Sequence, residues 1–154
     1  MENPIFEKLF AFSGGNKEDF IAIHETALYI WNIDNNLFPY GWDFLVSDTF
    51  DLENISGYVS KTEMPNYIEF IFGKNIKLRL WKKIEQWDFA TAPTVYSEKK
   101  QIKVLDPEEV LQNLEKSPDI EFLYEQRAGL AEVLYFDLMS DEELQMFRDY
   151  VRAV

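Results

Sequence analysis

The stretch NYIEFIFGKNIKLRLWK, residues 66–82, decides how the rest of the chain is read. Ile68, Phe70 and Phe72 alternate with Tyr67, Glu69 and Ile71, and Ile76, Leu78 and Leu80 alternate with Lys77, Arg79 and Trp81. Side chains of a strand point to opposite faces in turn, so this period of two predicts two strands, each with one apolar face. Gly73-Lys74-Asn75 between them suits a tight turn, which makes the pair a hairpin. On the other face Lys77 and Arg79 are expected to look outward beside Glu69 as a solvated charged surface. Exposed cross-strand pairs of that kind contribute only ~0.2–1 kcal/mol each.

Working outward, DFLVSDTF and ISGYVSK are further strand candidates, and TVYSEKKQIKVL supplies one or two edge strands. Lys99, Lys100 and Lys103 are the kind of charge that protects an edge from pairing with another chain. Asn3-Pro4, followed by Ile5, Phe6, Leu9 and Phe10 at helical spacing, predicts a short helix over 4–12, stopped by Ser13-Gly14-Gly15. Residues 17–33 read two ways. The alternating runs FIAIH and ALYIWNI favour a hairpin through Glu25-Thr26. The spacing of Phe20, Ile23, Ala27 and Trp31 keeps a long helix as the alternative. Asp106-Pro107-Glu108-Glu109 is a helix start, and VLYFDL reads as a late strand. Ser140 with Glu143 forms a capping box before the stripe Leu144, Phe147 and Val151.

The expectation is therefore one α+β domain over 1–154. Its mostly antiparallel sheet has about five to seven strands, with a short N-terminal helix and C-terminal helices packed on it. The run of hairpins ending in a helix resembles the element order of pleckstrin-homology-like barrels, a likeness of arrangement that carries no function across.

Charge is the strongest global signal. The 154 residues carry a formal −13, unevenly spread. Residues 1–73 sum to −9, residues 74–103 to +5, and residues 104–154 to −9. A field of that sign repels phosphate backbones and anionic lipid and attracts basic proteins; it also keeps a chain with 13 Phe, 8 Tyr and 4 Trp soluble. The N-terminal MENPIFEKLFAF lacks the basic region and long apolar run of a secretory signal, and no stretch approaches the ~18 apolar residues of a membrane span. With no cysteine, the reduced cytoplasm is the expected compartment.

Much chemistry is excluded at this level. The absence of cysteine removes disulfides, thiolate metal sites and cysteine nucleophiles. His24 is the only histidine, no G-x-S-x-G elbow presents a serine, and its apolar setting predicts a hydrogen-bonded structural role. Asp34, Asp43, Asp48 and Asp51 do not have the spacing of a calcium loop, and phosphate-binding fingerprints are missing. No metal or cofactor is expected, and a non-enzymatic role is. Trp81, Lys82, Lys83 and Trp87 resemble a small single-strand-binding platform, but the −18 outside the basic segment argues against nucleic acid.

The remaining signal is NIDNNLFPYGWDF, residues 32–44. Pro39 and Gly41 oppose regular structure, which places its aromatic residues on a turn, either closing one end of the sheet or open to a partner. The functional reading takes Phe38, Tyr40 and Trp42 as anchors rimmed by Asp34, Asp43, Asp48, Asp51 and Glu53, the anatomy of a protein interface. Together with the charge, this predicts a cytoplasmic inhibitor or immunity-type protein that occludes a basic partner, such as a nuclease toxin or nucleic-acid-binding enzyme. The alternative is a small-ligand or peptide-binding domain, or a cofactor-free enzyme, with an aromatic cleft. A concave pocket at Trp42, Trp81 or Trp87 with one or two carboxylates would favour it.

Overall fold

The hairpin forms as its alternation dictates. In the computed structural model Tyr67–Phe72 and Ile76–Trp81 run antiparallel, with Tyr67 opposite Trp81, Glu69 opposite Arg79 and Phe72 opposite Ile76. The structure describes residues 9–10, 16–31, 41–73, 76–113, 118 and 141–153. The elements are β1 (Phe20–Ala22), α1 (His24–Trp31), β2 (Trp42–Val46), a 3-10 turn (Leu52–Asn54), β3 (Ser60–Glu63), β4 (Tyr67–Phe72), β5 (Ile76–Trp81), β6 (Lys83–Ile84), β7 (Trp87–Asp88), β8 (Thr94–Ser97), β9 (Ile102–Leu105), α2 (Pro107–Asn113) and α3 (Asp141–Ala153). The helix expected over 4–12, the late strand at VLYFDL and the Ser140 cap fall on residues outside those described, apart from Leu9 and Phe10, which are buried.

Seven strands make one mixed, mostly antiparallel sheet in the order β3-β4-β5-β2-β1-β9-β8, and β6 and β7 form a separate small pair. Among the described residues the sheet is open, with β3 and β8 at its ends and no pairing between them. Two pairings are parallel, β2 with β5 and β1 with β9. The second corrects the edge assignment of TVYSEKKQIKVL: among the described residues β8 is an edge, whereas β9 lies between β1 and β8. Lys103 therefore sits on an interior strand and holds its ammonium 5.2 Å from the centre of the Phe89 ring.

Residues 17–33 are neither a hairpin nor one helix. The three residues of β1 pair with β2 on one side and β9 on the other, and the chain then turns at His24, whose φ is +50°. The α1 backbone starts there, with the Thr26 and Ala27 amides donating to the Ile23 carbonyl. Ala27, Leu28 and Ile30 bury the inner face of the helix, and α1 lies against β2. Beneath it, Phe10, Phe20 and Phe44 meet edge to face at 5.2–6.1 Å between ring centres, the geometry that aromatic quadrupoles favour.

At the other end, α2 starts where Asp106-Pro107 predicts. Asp106 accepts from the Glu108 amide at 3.3 Å, and its carbonyl accepts from Val110. The same carboxylate takes two bonds from Arg148 of α3, at 2.7 and 3.1 Å, while α3 lies against β8. Among the described residues no helix is long and apolar enough to cross a membrane.

Candidate functional site

The proposed aromatic interface divides. Asp34, Phe38 and Tyr40 lie outside the described residues. Trp42 and Asp43 are not exposed: they are 4% and 0% accessible. The reason is position, since β2 runs between β1 and β5 near the middle of the sheet. The Trp42 ring is also capped edge to face by Tyr29 of α1, at 5.4 Å.

Asp48, Asp51 and Glu53 do face solvent. Their segment is held at both ends. The Ser47 amide donates to the Asp19 carbonyl at 2.9 Å and the Thr49 hydroxyl to the Asp19 carboxylate at 3.4 Å. Farther on, Asp51 caps the 3-10 turn by accepting from the Glu53 amide at 2.9 Å. Packing of Phe50 on Phe20, 5.0 Å apart, anchors the middle. The result is a fixed acidic turn that also gathers Asp19. The same connection then presents Tyr58 and Val59 ahead of the edge strand β3, and Met64 follows that strand; all three are exposed.

Arg79 is the largest departure from the sequence reading. Its partner Glu69 is as expected, with Nε donating at 2.9 Å, but the guanidinium is buried rather than solvated. Nη1 lies 3.4 Å from Asp43 and 3.7 Å from Glu25, both of whose side chains are fully buried. Glu25 also accepts from the Gly41 amide at 3.0 Å, and Asp43 accepts from the Trp81 indole at 2.8 Å. The guanidinium thus joins α1, β2, β4 and β5. Two acids with no surface beside one arginine are tolerable only because the pairs and hydrogen bonds replace water. Asp43 inside the apolar run WDFLV was the signal, because such runs mark strands covered on both faces.

Beside this cluster opens a cleft of about 540 Å³, with His24, Tyr67 and Trp81 at its base and Asn66, Lys83 and Glu85 around it. Tyr67 and Trp81 are cross-strand partners with rings 4.5 Å apart, and His24 meets Trp81 edge to face at 5.0 Å. The expected hydrogen bond of His24 is missing: neither ring nitrogen has a partner among the described residues. A buried polar group left so costs about 1–3 kcal/mol. Burial first, and the Arg79 charge second, push the imidazole down to about 3, so it is neutral at physiological pH. His24 and Glu85, at φ +50° and +48°, also hold left-handed backbones, a strain that gathers at functional sites and amounts to roughly 1–3 kcal/mol each.

Trp81 is only 5% exposed, so the Trp81–Lys82–Lys83–Trp87 platform is not displayed as such. Trp87 is half-buried and donates to Glu109 at 2.8 Å. The described residues contain no cluster of three or more carboxylates or histidines arranged to hold a metal ion. Comparison of the chain with protein families, with curated proteins and with solved structures finds no match.

Proposed function

We propose that this chain is a non-enzymatic acidic interaction protein, a cytoplasmic inhibitor or immunity-type protein that binds and occludes a basic partner such as a nuclease toxin or nucleic-acid-binding enzyme. The observation that carries the reading is the acidic turn: Asp48, Asp51 and Glu53 are exposed on a segment fixed by Asp19, Phe50 and its own cap. A rigid acidic surface loses little conformational freedom on binding, and the −13 field accelerates encounter with a cation-rich protein. Tyr58 and Val59 supply apolar contact on the same connection. A helix over 4–12 and C-terminal helices packed on the sheet complete the proposed frame.

The test is affinity capture from cytosol at low and high salt, followed by measured binding of the retained basic protein to Asp48→Lys/Glu53→Lys. Asp51 is left intact because it caps the turn. A tenfold or greater loss, concentrated in the association rate and muted by salt, supports the reading. Unchanged binding by the double variant refutes the surface.

The cleft over Trp81 favours a second reading, a small-ligand-binding domain. It combines an indole, a carboxylate from Glu85 and an unpaired imidazole in one concavity, the composition of small-molecule sites.

A further inference from the structure

We infer that β3 is a self-association edge: a second copy of this chain docks its own β3 antiparallel against Ser60–Glu63 and extends the sheet across a two-fold axis. The strand ends the sheet, paired only with β4 among the described residues, and residues 56–66 are all exposed. Its open side follows from the bonds on the other. The Met64 amide donates to the Tyr67 carbonyl at 2.8 Å, and the Val59 amide to the Ile71 carbonyl at 2.7 Å. Bonded and non-bonded pairs alternate along an antiparallel ladder, so Thr62 and Glu69 form the bonded pair between them. Lys61 and Glu63 take the alternate positions, and their N–H and C=O groups point away from β4. Groups so directed are a template for another strand.

Charge selects the occupant and its register. Two copies can meet with Lys61 of each opposite Glu63 of the other and Thr62 facing Thr62 on the axis. Each Lys61–Glu63 pair then exchanges two backbone bonds, and opposite charges stand directly across from each other. Sliding by two residues either way sets Lys61 against Lys61 or Glu63 against Glu63, which is unfavourable. Sliding by one turns the bonding groups away from each other. The contact is self-complementary, as a two-fold interface requires. In this register the exposed Val59 faces Pro65 of the second copy. The ladder ends there, because Pro65 has no N–H and that of Val59 is spent on Ile71. The Lys61 ammonium, 5.9 Å from the Phe70 ring centre, exchanges that exposed contact for a carboxylate. No carboxylate of the acidic turn takes part, so the edge is independent of the basic partner proposed above.

The −13 on each copy opposes association, and 0.15 M salt confines that field to ~8 Å. Sedimentation equilibrium of the full chain in that salt, from about 10 µM to about 1 mM, reads the association. The parent is expected to approach twice its monomer mass at the upper end, a weak dimer in keeping with so short a contact. Lys61→Glu and Glu63→Lys each set like charges opposite one another and weaken it about threefold or more, although the second lowers the net charge. Mixing these two variants, or combining both changes in one chain, restores association. Lys61→Pro removes an outward donor, leaves the bonds to β4 in place and weakens the dimer about tenfold or more; a dispersed amide spectrum shows that it folds. A parent that stays monomeric throughout overturns the inference and leaves the edge to an extended segment of another protein. Full association by a folded Lys61→Pro overturns the edge. Single charge variants that associate like the parent, or a mixture that does not recover, overturn the register.

Discussion

Replacing Arg79 by Met tests the buried charge cluster directly. Methionine roughly fills the space of the arginine stem, so the main loss is the guanidinium. Left behind are Glu25 and Asp43, whose side chains have no exposed surface, and Glu69, whose side chain is 20% exposed. Glu69 can rehydrate and counts for little; the other two cannot without opening the sheet. Removing one partner from a buried pair costs about 3–5 kcal/mol, most of it from the stranded charge. At roughly 2–4 °C per kcal/mol for a chain of this size, the melting temperature falls by about 6–20 °C. Urea unfolding followed by tryptophan fluorescence reads the free energy. Adding Glu25→Gln and Asp43→Asn to Arg79→Met recovers part of the loss, because neutral amides carry no charge to strand. An Arg79→Met protein within 1 kcal/mol of the parent, or a triple variant less stable than the single one, refutes the reasoning.

Gly41→Ala puts a Cβ 2.7 Å from Arg79 Cζ and 3.0 Å from Nη2, against a guanidinium pinned by three carboxylates. A cost of about 1–3 kcal/mol is expected, and it shrinks in the Arg79→Met background, as urea titration of both pairs will show. For His24, the folded value of about 3 lies below the ordinary 6.5, so the unfolded chain holds the extra proton between those limits. Its contribution is full above pH 6.5 and is lost on acidification, at about 1–1.5 kcal/mol per pH unit and on the order of 5 kcal/mol in all. From pH 7.5 to 4 the parent should lose stability relative to His24→Phe, and parallel pH profiles of the two would sink the assignment. Arg148→Ala removes both bonds to Asp106 from a site whose side chains are 25% and 12% exposed. It should cost about 1–2 kcal/mol and speed amide exchange in α3 more than in β5.

The β4–β5 hairpin and the start of α2 were legible because their signals are local: alternation on both sides of one turn, and a capping aspartate before a proline. β1 and α1 were not. Phe20–Ala22 is too short to show a period, and the turn into the helix falls on His24 rather than on a glycine, asparagine or proline. Arg79 was assigned to water by the same alternation that placed Leu78 and Leu80 correctly. Alternation separates the two faces of a strand, but burial of the second face depends on what covers β5 from β2 and α1, far away in sequence. Trp42 and Asp43 failed for the same reason, since the break at Pro39-Gly41 suggested a turn where a central strand was about to begin. The cleft brings His24 against residues some 40–60 positions later, a closure no spacing announces.

The parallel pairing of β1 with β9 has a consequence for synthesis. Residues 21 and 22 lie beside residues 103 and 104, so one edge of β1 stays open until more than 80 further residues have followed it. Contacts that close so long a loop make folding slow, and an unpaired apolar strand is a template for other chains. On the ribosome the β4–β5 hairpin assembles early, from neighbours only a few residues apart. Phe20-Ile21-Ala22 must wait for IKVL to emerge, and in that interval the nascent chain is most exposed to aggregation.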